Sequence, residues 1–284
     1  MNEDLRSLIN EALARGDGKV PSGELLTRVS RLAGADRTVV RKTIRDMITA
    51  GDLTYTSLGG TNFVEPSFDR PIRLADHIIV KPPHKSYSAE PGDVVINIRT
   101  GSAFGTGAHP TTRLMLRALD RLFHDHRPML PAGPLRGLDI GTGSGILAIA
   151  LACLGVPEVV ATDVDPCAVW EARYNASASG VEQQVRITDG AFSKLNRQFS
   201  LIVANLSGPT LAALAPALKE KAASGGILIV SGFRDELFAA LMDTFGENAF
   251  AMAGQTRLRG WACLVLKKTD HVPSSCRRTK KTEP

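Results

Sequence analysis

Eight consecutive residues near the middle of the chain, Leu138-Asp139-Ile140-Gly141-Thr142-Gly143-Ser144-Gly145, join an apolar strand end to three alternating glycines. Glycine lets the backbone turn tightly and approach a ligand closely. A helix starting just after such a turn adds free amides and a positive dipole end. Asp163 stands twenty residues after Gly143, at the close of the next apolar run, Val159 to Asp163. A carboxylate there can accept both hydroxyls of a ribose. Glycine spacing, strand context and acidic offset point together to a nucleoside-bearing cofactor. An ordinary glycine turn with a helix-capping aspartate is the simpler alternative, and three agreeing features weigh against it.

Two cofactor classes fit that junction, NAD and S-adenosylmethionine. The turn lacks the G-x-x-G tail of the dinucleotide fingerprint, and Asp139 precedes the glycines within the strand. Such a strand end resembles the first motif of class I S-adenosylmethionine methyltransferases. The resemblance implies cofactor contacts from Asp139, Gly141, Thr142, Gly143, Gly145 and Asp163, and an adenine contact from Asp189. A plain Asp-Gly turn at Asp189-Gly190 is the other reading of that last pair.

A more specific run lies upstream: Gly101-Ser102-Ala103-Phe104-Gly105-Thr106-Gly107-Ala108-His109-Pro110-Thr111-Thr112. It resembles the GxxFGTGxHxTT signature of the PrmA family, whose members methylate amino groups of the stalk protein of the large ribosomal subunit. The similarity continues through Glu90-Pro91-Gly92-Asp93, Asp163-Val164-Asp165-Pro166 and Ala204-Asn205-Leu206, and covers residues 71–267. It implies that Phe104, Gly105, Thr106 and Gly107 close over the methionine part of S-adenosylmethionine. It also implies that Asn205 aims the acceptor amine through its side-chain oxygen and touches the cofactor. A helix N-cap is the structural alternative for Asn205. His109 could take a proton or cap the helix starting at Pro110; Trp261 walls the pocket or packs on an edge strand. Two features depart from the family. Its ferredoxin-like N-terminal module is missing, and its Asn-Ile-Leu or Asn-Ile-Val motif reads Asn205-Leu206-Ser207 here.

Around these residues the apolar pattern changes character along the chain. Residues 1–66 carry three helical repeats, built on Leu5, Leu8, Ile9, Ala12 and Leu13; on Leu25, Leu26, Val29 and Leu32; and on Val40, Ile44, Met47 and Ile48. Gly16-Asp17-Gly18 stops the first, Gly34 the second and Gly51 the third. Two β-like runs, Leu53 to Leu58 and Asn62 to Glu65, flank the turn Gly59-Gly60. That order predicts a winged helix-turn-helix. Residues 67–109 form a β-rich connector with Ile78–Val80 and Val94–Ile96 as strands and the cofactor-covering loop at its end. From 110 to 267, strands at Gly137–Ile140, Val159–Asp163, Val185–Thr188, Leu201–Ala204 and Ile227–Ser231 alternate with helices starting near Thr111, Gly145, Pro166, Gly208 and Asp235. With edge runs at Ala249–Met252 and Trp261–Leu266, this is a doubly wound seven-stranded α/β sheet, Rossmann-like in class. Residues 268–284 read as a disordered basic tail.

The chain has 284 residues, 43% hydrophobic and 22% charged, which excludes disordered and collagen-like classes. Its net charge of +5 invites a nucleic-acid reading, but the charge is unevenly spread. Residues 1–66 sum to zero, residues 67–266 to +1 and residues 267–284 to +4. Cys153, Cys167, Cys263 and Cys276 show no metal-ligand or disulfide spacing, so no metal and a reducing, cytoplasmic setting are expected. The most apolar stretch, Ile146 to Ala161, is broken by Gly155, Pro157 and Glu158. The leading expectation is an N-methyltransferase acting on a protein amine, with a ribosomal protein implied by the resemblance. A small-molecule amine methyltransferase, dimeric through residues 1–66, is a second reading. A nucleic-acid-binding regulator that senses a nucleoside is a third. Arg37, Arg41, Lys42 and Arg45 favour it, and the neutral sum of residues 1–66 weighs against it.

Overall fold

The structure is a computed structural model and describes residues 2–15, 19–99, 101 and 103–269. The chain opens with α1 (Asn2–Arg15), a two-residue strand β1 (Val20–Pro21), α2 (Ser22–Ala33) and α3 (Arg37–Thr49). Gly34 ends α2 in the left-handed conformation and returns its amide to the Ser30 carbonyl. Asp36 then caps α3 by accepting the Thr38 amide. Strands β2 (Leu53–Leu58) and β3 (Thr61–Pro66) pair through Gly59 and Gly60, both at the positive φ of a type I′ turn. Leu5, Ile9, Leu25, Val29, Ile44, Met47 and Val64 make one buried cluster beneath them. Strand β1, with Val20 opposite Val64, is too short for any period to announce it. The expected stop at Gly16-Asp17-Gly18 falls outside the described residues.

The connector forms β4 (Ile72–Arg73), β5 (Ile78–Lys81) and β6 (Val94–Asn97), a small sheet in which β5 and β6 run parallel. Leu74, Ile78, Val80 and Ile96 bury themselves in the core of the segment that follows.

That segment runs α4 (Pro110–His124), β7 (Arg136–Ile140), α5 (Ile146–Cys153), β8 (Glu158–Thr162), α6 (Pro166–Ala178) and β9 (Val185–Thr188). It continues with β10 (Phe199–Asn205), α7 (Gly208–Lys221), β11 (Ala222–Arg234), α8 (Phe238–Glu247), β12 (Phe250–Leu258) and β13 (Trp261–Lys268). The seven strands lie in the order β12-β13-β11-β10-β7-β8-β9, with β12 and β13 antiparallel at one edge. Near-continuous apolar strands such as Leu201–Ala204 are what a parallel sheet covered on both faces demands, and two separate buried clusters supply that cover. The sheet is the doubly wound α/β sheet expected. Several boundaries differ from expectation, and β12 runs to Leu258 where a strand over Ala249–Met252 was expected. Strand β11 extends well beyond Ile227–Ser231, because pairing with β10 and β13 recruits small and glycine flanks of low strand propensity. A short 3₁₀ turn, Asp235–Leu237, precedes α8. Strand β13 continues through Lys268, and the Thr269 amide bonds the Ala249 carbonyl, so order passes the expected start of the tail. Residues 270–284 of that tail lie outside the described residues.

Strand order reverses direction at β7, whose neighbours are β10 and β8. An open parallel sheet leaves a crevice at the carboxyl ends of strands beside such a switch. The glycine turn follows β7, Asp163 follows β8 and Asn205 ends β10, so the fold delivers all three to that crevice.

Candidate active site

Gly141, Gly143 and Gly145 all take positive φ, at +69°, +55° and +85°. A Cβ on Gly141 would lie 2.6 Å from Leu206, and one on Gly143 would lie 2.4 Å from the Phe104 carbonyl oxygen. On Gly145 it would press against the α6 backbone at Ala172, 3.1 Å away. Asp139 sits beneath this turn, fully buried. Its Oδ2 accepts the Thr142 hydroxyl at 2.6 Å and the Ala148 amide at 3.1 Å, which fastens the turn to α5. Asp139, Thr142 and Gly145 were expected to touch the cofactor. All three are buried and none lines the cavity, and Asp139 and Thr142 bond to each other on the inner side of the turn.

Burial pushes the Asp139 carboxyl up to about 7, and the charge of Asp163 adds to that, against hydrogen bonds from Thr142 and Ala148. An unfolded aspartate titrates at 3.8. The stability gained by holding this proton is therefore complete below about pH 4 and is lost as pH rises to about 7. From this group alone, stability is expected to fall by up to ~1.4 kcal/mol per pH unit in that window. Urea unfolding at several pH values should show the slope in the parent and not in Asp139→Asn.

The loop that carries the FGTG run lies against the glycine turn. The Ser144 amide donates to the Phe104 carbonyl and the Ser144 hydroxyl to the Gly105 carbonyl, each at 2.8 Å. Two residues that the sequence reading did not single out hold this loop from α6. The buried carboxylate of Glu171 accepts the Ala103 amide, and a Cβ on Gly101 would fall 2.3 Å from it. Asn175 donates to the Ser144 carbonyl and accepts the Arg99 amide. Their one sequence signal is polar residues at i, i+4 on a helix face that otherwise carries Ala168, Val169, Ala172 and Ala176. Gly107 folds back onto Leu74, and Arg113 donates to its carbonyl. Of Phe104, Gly105, Thr106 and Gly107, Phe104 lines the cavity and the other three do not.

That cavity measures about 550 Å³ and sits at the carboxyl ends of β7, β8 and β10, within the range of cofactor pockets. Gly141, Gly143, Asp163 and Phe104 form one part of its wall; Gly190, Phe192 and Asn205 form another. Asp163 accepts the Gly143 amide on one oxygen at 2.8 Å and the Asp165 amide on the other at 3.0 Å, with acceptor capacity left toward the cavity. Val164 beside it is 87% exposed, an apolar side chain left open where a flat base would cover it. Asp189 is exposed at the rim, next to lining Gly190.

Asn205 carries the decisive atom. Its Oδ1 is buried in the cavity wall with no partner among the described residues. The helix-cap alternative for it is filled elsewhere: Ser207 caps α7 by accepting the Thr210 amide. A buried acceptor left open is costly, and this one, unlike the equally unpartnered Asp139 Oδ1, belongs to a residue that lines the cavity, where a ligand donor can meet it. A ribose carboxylate, an apolar slot for a base and an open amide oxygen in one cavity fit an S-adenosyl cofactor with an amine beside it.

His109 caps α4, with Nδ1 accepting the Thr111 amide and lying 2.7 Å from the Thr111 hydroxyl. Its ring bridges two others, tilted against Phe104 at 5.3 Å and edge-on to Trp261 at 4.7 Å. It thus stands one ring behind the cavity wall.

The family described as "Ribosomal protein L11 methyltransferase (PrmA)" matches residues 64–269. The chain belongs to the PrmA family. It is 41% identical over 197 residues to the ribosomal protein L11 methyltransferase of Geobacter sulfurreducens, spanning 69% of this chain and 62% of that protein. The corresponding protein of Geobacter metallireducens is 42% identical over the same shares. The crystal structure of ribosomal protein L11 methylase from Lactobacillus delbrueckii subsp. bulgaricus superposes with a TM-score of 0.63 at 29% identity, covering 70% of this chain and 99% of that one. The match to these relatives spans 62% of their length, and residues 1–63 of this PrmA member lie outside the family match. Among the described residues, no helix is long and apolar enough to cross a membrane.

Proposed function

We propose that this chain is an S-adenosylmethionine-dependent N-methyltransferase whose acceptor is an amine of a protein, with a ribosomal stalk protein the first substrate to test. The unpartnered Asn205 Oδ1 in the cavity wall carries the reading. S-adenosylmethionine, when bound, supplies a methyl group on a sulfonium. Asp163 would hold the ribose hydroxyls, and the surface of Val164 and Phe192 would cover the base. Gly141 and Gly143 bring backbone close enough to leave room for the methionine part, with Phe104 above. The acceptor nitrogen must be neutral to attack, and Asn205 Oδ1 would accept one of its N–H bonds and aim its lone pair. His109 would fix the ring stack through its cap bond and take no proton at Nδ1, which Thr111 occupies. We place residues 1–66 as a winged-helix unit that selects the acceptor and the enzyme in the cytoplasm. Family membership supports protein chemistry over a small-molecule acceptor or a nucleoside-sensing regulator.

Asp163→Ala removes charge-assisted bonds to the ribose and to the Gly143 amide, so its affinity for S-adenosylmethionine should fall ~10- to 100-fold in calorimetry. The reading as a whole is tested by labelled methyl transfer in cell lysate. Labelled protein bands that disappear with Asp163→Ala support it; label confined to small molecules overturns it.

A further inference from the structure

Arg37, Arg41, Lys42 and Arg45 lie on α3 and take no part in the cavity. The buried side chains of α3 are Val40, Thr43, Ile44 and Met47, on the side that packs against α1 and α2. At 3.6 residues per turn the opposite face presents Thr38, Arg41, Lys42, Arg45 and Thr49, with Arg37 and Asp46 at its two edges. All seven are exposed. Helix α2 adds Arg28 and Arg31. Among the described residues, none of these six cations forms an ion pair.

The neutral charge of residues 1–66 hides a separation. Residues 22–49 carry six Lys/Arg against three Asp/Glu, a net of +3, and the remainder of residues 1–66 carries −3. Several of the acids are engaged. Asp36 accepts the Thr38 amide, Asp52 pairs with Arg6 and Arg70, and Glu65 accepts the Thr56 hydroxyl. No charged residue occurs from Leu53 to Val64. The hairpin, whose β2 packs on α3, exposes Thr54, Tyr55, Ser57, Thr61 and Asn62, none of which repels an anion. A balance that weighs against nucleic acid for the whole segment does not hold for this face.

Geometry then chooses among polyanions. Helices α2 and α3 are joined by Gly34, Ala35 and Asp36, the short turn of a helix-turn-helix pair. In such a pair the second helix enters a groove and the first crosses the backbone beside it. A convex helix face needs a groove about 12 Å wide, which B-form DNA offers and the narrow major groove of A-form RNA does not.

We propose that residues 22–49 bind double-stranded DNA. Arg41, Lys42 and Arg45 enter the major groove, Arg28 and Arg31 meet the flanking phosphates, and the hairpin lies against the adjoining backbone. This is a binding activity separate from methyl transfer, carried by residues outside the family match, and it does not depend on which amine is methylated.

The test is fluorescence anisotropy of the full chain with a labelled DNA duplex of about two helical turns, repeated across a salt series. The triple variant Arg41→Gln, Lys42→Gln, Arg45→Gln should bind at least ~30-fold more weakly and flatten the slope of log affinity against log salt by about 2–3. Its side chains are exposed and glutamine suits a helix, so the fold is kept. A second triple variant, Arg278→Gln, Lys280→Gln, Lys281→Gln, removes the same charge outside the described residues and should cost no more than about threefold. No DNA binding below ~10 μM at low salt overturns the proposal. So does an α3 variant that binds like the parent, or a loss in the second triple variant as large as in the first. Duplex RNA or a polyglutamate peptide bound as tightly as DNA also overturns it. Failure of the methyltransferase reading would show separately, as no calorimetric binding of S-adenosylmethionine by the parent.

Discussion

Gly143→Ala is expected to weaken S-adenosylmethionine binding by at least ~100-fold while the chain remains folded. Two physical terms act together at this position. The φ of +55° disfavours any Cβ by about 1–2 kcal/mol. The added methyl carbon would also stand 2.4 Å from the Phe104 carbonyl oxygen, an atom of backbone that no rotamer change can move. Either the glycine turn or the covering loop must shift, and the Ser144-to-Phe104 hydrogen bond breaks in both cases. Both segments wall the cavity, so the damage falls on the ligand; a few kcal/mol at that wall is two or more powers of ten in affinity. Gly155→Ala separates the two terms. Gly155 has φ +96° with open space around its Cβ position, far from the cavity wall. That variant should lose about 1 kcal/mol of stability and keep its cofactor affinity. Calorimetry and urea unfolding on both variants check the pair. Equal affinity loss in the two would mean that the dihedral strain matters and the close approach to Phe104 does not.

Much of this site is legible in the sequence because its chemistry depends on residue type at fixed spacing. Three glycines in alternation are readable since residues with a Cβ rarely adopt those dihedrals, and Asp163 is readable because strand length fixes where the next strand ends. The inward side of the same machinery is not. Whether Asp139 faces the ligand or the core depends on the pleat and on α5 packing over it, and only the tertiary structure resolves that. Glu171 and Asn175 escape for a related reason. Their partners are backbone amides and carbonyls of a loop some 30 to 80 residues away, and backbone atoms leave no mark on a sequence. The fold reads more easily than its edges. The alternation of apolar strands and helices announces the doubly wound sheet, while β1 and the flanks of β11 exist through pairing partners and carry no period of their own.

Asn205→Ala should lower kcat by ~100-fold with the S-adenosylmethionine affinity changed by no more than about threefold, the loss coming from misaligned attack. Its effect on stability separates a ligand role from a structural one. If Asn205 were the cap of α7, its removal would cost about 1 kcal/mol. Ser207 holds that role through the Thr210 amide, so that loss belongs to Ser207→Ala, whose kcat should stay near the parent value. Removing Asn205 instead deletes a buried acceptor that has no partner among the described residues, which relieves a desolvation penalty of about 1–3 kcal/mol. The variant is therefore expected to unfold at the same temperature as the parent or above it while turning over far more slowly. Opposite movement of stability and rate is what a group kept open for a passing amine requires. A variant that lost stability and activity together would return Asn205 to the role of a structural hydrogen-bond partner.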